Sequence, residues 1–223
     1  MHLLSQQSLS LSDTVYQKLE ERILSGVYKD GESITELKIS QELGVSRTPV
    51  REALKQLAKD GLIEIIPNKG AVVVPFNEKD IEDIYEIRMR IEGLASRKTA
   101  MRITNEQINE LREIVDLQEF YAKRPTNDNT KNLDSVFHQK IYEFTGSKIY
   151  EQILSTLHRK IKMFRKASMS SNERAIEAVA EHRAIFDAIA SHNPDLTEKL
   201  IIEHITRAKE NLTKMFNTNS KEE

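Results

Sequence analysis

Asp134 and His138 are four residues apart, so on a helix a carboxylate and an imidazole share one face. His182 lies on the apolar stripe Val179, His182, Phe186, Ile189, and His204 on the stripe Ile201, His204, Ala208. Both imidazoles are therefore expected to point inward. His182 precedes Asn193 by 11 residues, and His204 follows it by 11. If the chain turns back at Asn193, the two rings sit at one level, roughly 16 Å along each axis at about 1.5 Å per residue. Three imidazole nitrogens and one carboxylate oxygen suit a borderline divalent ion such as Zn²⁺, Ni²⁺ or Mn²⁺. The chain has six histidines. A lone histidine on an apolar face is more often a hydrogen-bonded core residue than a ligand; the shared level of these residues is what argues for a metal.

Arg88 lies on the stripe Ile84, Arg88, Ile91, Ala95. A cation on an inward face needs a partner. Two partners fit equally: the carboxylate of a small effector bound beside the metal, or an acidic residue such as Glu92 in a buried ion pair. Arg159 and Arg165 are weaker effector-binding candidates, because their helix carries many cations that read as a solvated face.

A second group can bind nucleic acid. Arg47 and Arg51 are four apart at the start of a helical pattern whose other face carries Val50, Leu54 and Leu57. Guanidinium forks at a helix N-terminus can pair with guanine edges or phosphates in a major groove. Ser46 and Thr48 can donate to phosphates beside the same helix end. Lys69 and Gly70 stand at the tip of a hairpin pattern and suit a wing along the backbone or minor groove. On spacing alone, two arginines on a solvated helix face explain the pattern equally well.

These groups must be held by elements. Ser12 is expected to cap a first helix, with the stripe Val15, Leu19, Ile23, running to about Ser25. Thr35 caps a short second helix carrying Leu37, Ile39 and Leu43. Gly44 makes the turn, and Ser46 caps a third helix through Lys59. Two extended runs, Leu62–Ile66 and Ala71–Val74, flank the turn Pro67-Asn68-Lys69-Gly70. Beyond the linker Pro75-Phe76-Asn77 the pattern is helical throughout. Six helices are expected: one to about Arg102, one opened by a Thr104–Gln107 capping box, and one after the polar stretch 124–129 that ends near Phe144. The last three open at Gly146-Ser147, at a Ser170–Glu173 capping box and at Asn193-Pro194.

Composition narrows the function classes. The 223 residues include no cysteine, which excludes disulfide scaffolds, Cys-based zinc fingers, iron–sulfur clusters and thiol catalysis. Seven glycines and five prolines are too few for an all-β fold rich in tight turns. A net charge of −2 means that any DNA binding comes from a local basic patch. No apolar run approaches a membrane span, and the first residues lack the basic and apolar regions of a secretory signal, so a cytoplasmic location is expected.

Leu43-Gly44-Val45-Ser46-Arg47-Thr48-Pro49-Val50-Arg51-Glu52-Ala53-Leu54 resembles the signature of the GntR family of bacterial transcription regulators. Gly26 to Gly31 resembles the loop after that family's first helix, and Asn68-Lys69-Gly70 its wing tip, where arginine is more usual than Lys69. The resemblance spans residues 8–75 and implies a winged helix-turn-helix in which Arg47, Thr48, Arg51 and Gly70 touch DNA. Leu37 stands where members of the FadR branch carry an arginine, so the second helix is not expected to read bases. Asp134 to His138 followed by Thr145-Gly146, together with Glu181 to Ile185, resembles the FCD effector domain of the FadR subfamily, over residues 78–217. That resemblance implies Asp134, His138, His182 and His204 as metal ligands and Arg88 as an effector contact. Six effector helices rather than seven point to the VanR-like branch.

The expected protein is mainly α, with an N-terminal winged helix-turn-helix and a C-terminal six-helix bundle. Its expected function is ligand-responsive transcription regulation, as a repressor. One short reading helix contacts few base pairs, so a homodimer on a palindromic double-stranded operator is expected. The effector is expected to be a small carboxylate. A metal sensor in which the ion is the signal is the alternative. A metalloenzyme is a third reading; it leaves residues 1–75 unexplained, and no separate acid/base pair or nucleophile accompanies the ligands.

Overall fold

The computed structural model describes residues 10–67, 69–75, 78–122, 128–168 and 172–219. The chain divides into two compact units, Met1–Asn77 and Glu78–Glu223.

The first unit begins with α1 (Leu11–Leu24). Its cap is Ser10, not Ser12. The Ser10 hydroxyl accepts from the Asp13 backbone N–H at 3.1 Å, and the Asp13 carboxylate accepts from the Ser10 N–H at 3.0 Å. Ser12 has Val15 three residues on and cannot complete such a reciprocal pair. β1 (Ser33–Ile34) leads into α2 (Glu36–Leu43), capped by Thr35, whose hydroxyl accepts from the Lys38 N–H. Gly44 ends α2 at φ +65°, a left-handed conformation that costs glycine no Cβ clash. α3 (Arg47–Lys59) follows, with Ser46 at the cap position. β2 (Ile63–Ile66) and β3 (Gly70–Val73) complete an antiparallel sheet in the order β1-β3-β2, with Ser33 opposite Val72 and Ile63 opposite Val73.

The wing is thus three-stranded where a two-stranded hairpin was expected. Two residues are too short for periodicity to reveal, yet Ile34 is buried and pins β1 to the core. Val15, Leu19, Ile39, Val50, Leu54, Leu57, Ile63 and Val73 are buried with it. Asn68, part of the expected turn, lies outside the described residues.

The described part of the second unit is helical: α4 (Glu78–Arg102), α5 (Asn105–Ala122), α6 (Asp128–Phe144), α7 (Lys148–Ser168), α8 (Asn172–Ala190) and α9 (Pro194–Asn219). α6 begins at Asp128, so the last two residues of the expected polar connection are helical. The Thr104–Gln107 box forms in both directions, at 3.1 and 3.3 Å. Ser170 of the other expected box lies outside the described residues. α4 packs along α9; a Cβ on Gly93 would stand 3.1 Å from Ile202 Cδ1. Asn193 caps α9 by accepting from the Leu196 N–H at 3.1 Å, which places the turn between α8 and α9 where the histidine spacing requires it.

Candidate functional site

In the second unit, α6 supplies Asp134 and His138, α8 supplies His182 and α9 supplies His204. All four are buried, and one potential ligand atom from each lies within 4.8 Å of the others. His182 Nε2 is 3.4 Å from His204 Nε2 and 3.7 Å from Asp134 Oδ1. The sequence-predicted ligands are therefore brought to one point from three helices.

The histidines are oriented from behind. His182 Nδ1 is 3.0 Å from Gln118 Oε1, and His204 Nδ1 is 2.6 Å from Glu181 Oε2. His138 Nδ1 is 3.3 Å from Glu92 Oε2. An acceptor at Nδ1 keeps the proton there and turns the Nε2 lone pair toward the centre. In that tautomer two acceptor nitrogens face each other at 3.4 Å in a buried space. A cation between them would satisfy both lone pairs, as would a proton held on one of the rings. The donor set fits a divalent ion with nitrogen and oxygen ligands.

Glu181 also accepts a two-pronged pair from Arg174, with both bonds at 2.9 Å, and a bond from Arg207 at 3.1 Å. Burial pushes the Glu181 carboxyl up, but His204 and Arg174 outweigh it and bring its pKa down to about 2. Glu92 is held well below the usual carboxylate range despite full burial, by the Arg88 guanidinium and then His138.

Arg88 is wholly buried on α4 and its Nε donates to Glu92 Oε1. The ion pair that competed with effector binding is therefore present. It uses only one edge of the guanidinium: Nη1 and Nη2 have no hydrogen-bond partner among the described residues. Tyr85, also buried, places its ring 5.5 Å from the guanidinium carbon. Arg159 is exposed on α7 and donates to Thr156 Oγ1, and the side chain of Arg165 lies outside the described residues.

Three supporting residues escaped the sequence reading. Gln118 continues the inward stripe Leu111, Ile114, Val115, and a polar side chain there is a signal that could have been read. Glu181 carries no such signal, because its partner His204 is on another helix. His158 is buried with its ring centroid 5.1 Å from that of His138, and only its position on α7 brings it there.

In the first unit, Ser46, Arg47, Thr48 and Arg51 are exposed at the start of α3, with Val50, Leu54 and Leu57 buried behind them. Ser46 makes no side-chain cap bond, so its hydroxyl is not committed to its own helix. Arg51 Nε and Nη2 donate to the two carboxylate oxygens of Glu36 at 2.9 and 3.0 Å, and Arg47 Nη2 donates to Glu36 Oε2 at 3.1 Å. Lys69 is exposed, and its carbonyl accepts from the Ser33 hydroxyl. Gly70 adopts φ +86°, where a Cβ would meet the Ile34 carbonyl at 3.1 Å. That close approach binds the wing to the residues entering α2.

The family model "Bacterial regulatory proteins, gntR family" matches residues 11–73, and the FCD domain model matches residues 83–207. The chain is 28% identical over 198 residues to the HTH-type transcriptional regulator YdhC of Bacillus subtilis, covering 88% of each chain. It is 26% identical over 210 residues to the HTH-type transcriptional repressor RspR of Escherichia coli, covering 94% of this chain and 92% of that one. The solved structure of E. coli McbR/YncC shares the fold, with a TM-score of 0.75 at 19% identity over 93% of this chain and 99% of that one. No described helix is long and apolar enough to cross a membrane. A helix-turn-helix unit with a wing, followed by a helical unit that gathers three histidines and an aspartate, thus meets both family models in order: the chain belongs to the GntR family of transcription regulators and carries an FCD domain.

Proposed function

We propose that this regulator is a ligand-responsive repressor of the VanR-like branch of the FadR subfamily. Residues 8–75 read DNA and residues 78–217 bind metal and effector and form the dimer. Asp134, His138, His182 and His204 hold a divalent ion, Zn²⁺, Ni²⁺ or Mn²⁺. The observation that carries this reading is the pair of buried Nε2 atoms 3.4 Å apart, each ring backed at Nδ1 by an acceptor. An ion in such a site offers further coordination positions to oxygen ligands.

A small carboxylate is the effector. The two terminal nitrogens of Arg88, buried and without a hydrogen-bond partner among the described residues, support this. They form the end edge of the guanidinium, the geometry that takes a carboxylate in two parallel bonds. Ser46, Arg47, Thr48, Arg51, Lys69 and Gly70 contact the operator. A homodimer on a palindrome is supported by the brevity of α3 and by Ile87, Leu94 and Met101, exposed and seven residues apart on α4. Repression is supported by the similarity to the E. coli transcriptional repressor RspR.

The test uses a duplex selected by the protein from randomised sequences. Operator affinity is titrated with a panel of small carboxylates on metal-loaded and chelator-stripped protein. The reading expects one carboxylate to weaken operator binding of the loaded protein only. Release on metal addition, with no carboxylate present, would make the ion itself the signal.

A further inference from the structure

The two arginines at the start of α3 share one carboxylate. Glu36 Oε1 accepts from Arg51 Nε, while Oε2 accepts from Nη2 of both Arg51 and Arg47. Arg51 is therefore gripped by its side edge, and its end edge, Nη1 with the second hydrogen of Nη2, lies outside the pair. That end edge carries two parallel N–H groups, the arrangement that meets guanine O6 and N7. Glu36 itself is well anchored. It is the first residue of α2, behind the Thr35 cap, where a negative charge is favoured by the helix N-terminus. Ile34, two residues before Glu36, pairs with Ala71 of β3, so the carboxylate stands on backbone tied to the wing. The arginines are by contrast more than half exposed along their side chains, at 61% for Arg47 and 54% for Arg51, against 25% for Glu36. Two long, solvated side chains thus converge on one short, anchored one.

We infer that Glu36 is a positioning residue for DNA reading, a buttress that sets the guanidinium planes of Arg47 and Arg51 before they meet the bases. The inference rests on the proposal that those arginines contact the operator. Both arginines stay more than half exposed, so even this shared pair adds only modestly to folding stability. Pre-orientation lowers the side-chain entropy lost when DNA is bound. It also has a cost that makes the role visible: a carboxylate beside phosphates repels them, so Glu36 weakens binding to DNA of any sequence while sharpening binding to the right one. The direction of the pKa shifts agrees, with the Arg51 hydrogen bond drawing the Glu36 carboxyl below its ordinary range.

The experiment measures affinities of the full chain for the duplex it selects from randomised sequences and for a scrambled duplex, over a range of salt. Wild type, Glu36→Gln, Arg51→Ala and the double variant are compared at matched protein concentration, with thermal unfolding of each. Glu36→Gln is expected to lower the ratio of selected to scrambled affinity about tenfold, with scrambled affinity unchanged or higher and the melting temperature unmoved. In the Arg51→Ala background the same substitution is expected to cost clearly less, because it acts through the arginine. An unchanged ratio would make Glu36 a bystander. A raised ratio would make it a block on the arginines. A full-size loss in the Arg51→Ala background would mean that Glu36 meets a base directly. Each of these results overturns the positioning role. If wild type selects no sequence at all, the DNA-reading proposal fails first, and this inference falls with it.

Discussion

The two units solve opposite electrostatic problems. In the first, Arg47 and Arg51 stand in solvent against a single carboxylate, and the charges are cheap to keep because water still reaches them. In the second, Arg88, Glu92, His138, His182 and His204 are almost wholly buried, and every charge needs a neighbour. Glu92 answers Arg88 and stands behind His138; Glu181 answers Arg174, Arg207 and His204. Charged groups placed on a surface can be changed with little effect on folding. Charged groups placed in a core cannot, because the same contacts that orient them also hold the bundle together.

Changes in the buried network are the strongest way to break this contrast. Arg88→Ala leaves the Glu92 carboxylate buried without its cation, and a loss of about 3–5 kcal/mol in folding stability is expected by chemical denaturation. Arg88→Lys keeps a charge near Glu92 but lacks the fork; it is expected to stay folded and bind operator while losing the carboxylate response. A Lys variant with an unaltered dose curve would remove Arg88 from the effector site.

His182→Ala is expected to lose bound metal in elemental analysis. With it goes the stabilisation that metal confers on wild type, about 4 kcal/mol when metal stands a thousandfold above its dissociation constant. Chelator should therefore lower the melting temperature of wild type and leave that of the variant unmoved. Gln118→Ala removes the acceptor behind His182 Nδ1 and is expected to weaken metal binding about 10- to 100-fold, read by competition with a metal indicator. Arg51→Ala should have the smallest effect on folding. Its melting temperature is expected to match wild type while operator affinity falls by about 1–3 kcal/mol at matched salt. A melting-temperature drop as large as that of the core variants would erase the distinction between the units.

The units also differed in how far they could be read without coordinates. α3 was legible because its residues are consecutive: one motif carries the turn glycine, the cap, the arginines and the buried stripe. The clustering of His182 with His204 was legible for another reason, since equal spacing about Asn193 puts two inward histidines at one level. What stayed hidden is what depends on side-chain reach between elements. Glu36 bridging to α3, Glu181 reaching across to α9 and Gln118 supporting a ring on α8 each need the packing of two helices, which periodicity does not supply. β1 escaped because two residues carry no period, and the cap of α1 moved to Ser10 because a reciprocal hydrogen-bond pair outweighs a hydroxyl alone.

The central claim is that a metal-dependent carboxylate signal controls operator binding. Its most direct test is anisotropy titration of the selected duplex with metal-loaded and metal-stripped protein, each with and without the responsive carboxylate. The account predicts a change in operator affinity of about 5- to 150-fold for the loaded protein and none for the stripped protein. Identical carboxylate dose curves for the two forms would contradict it.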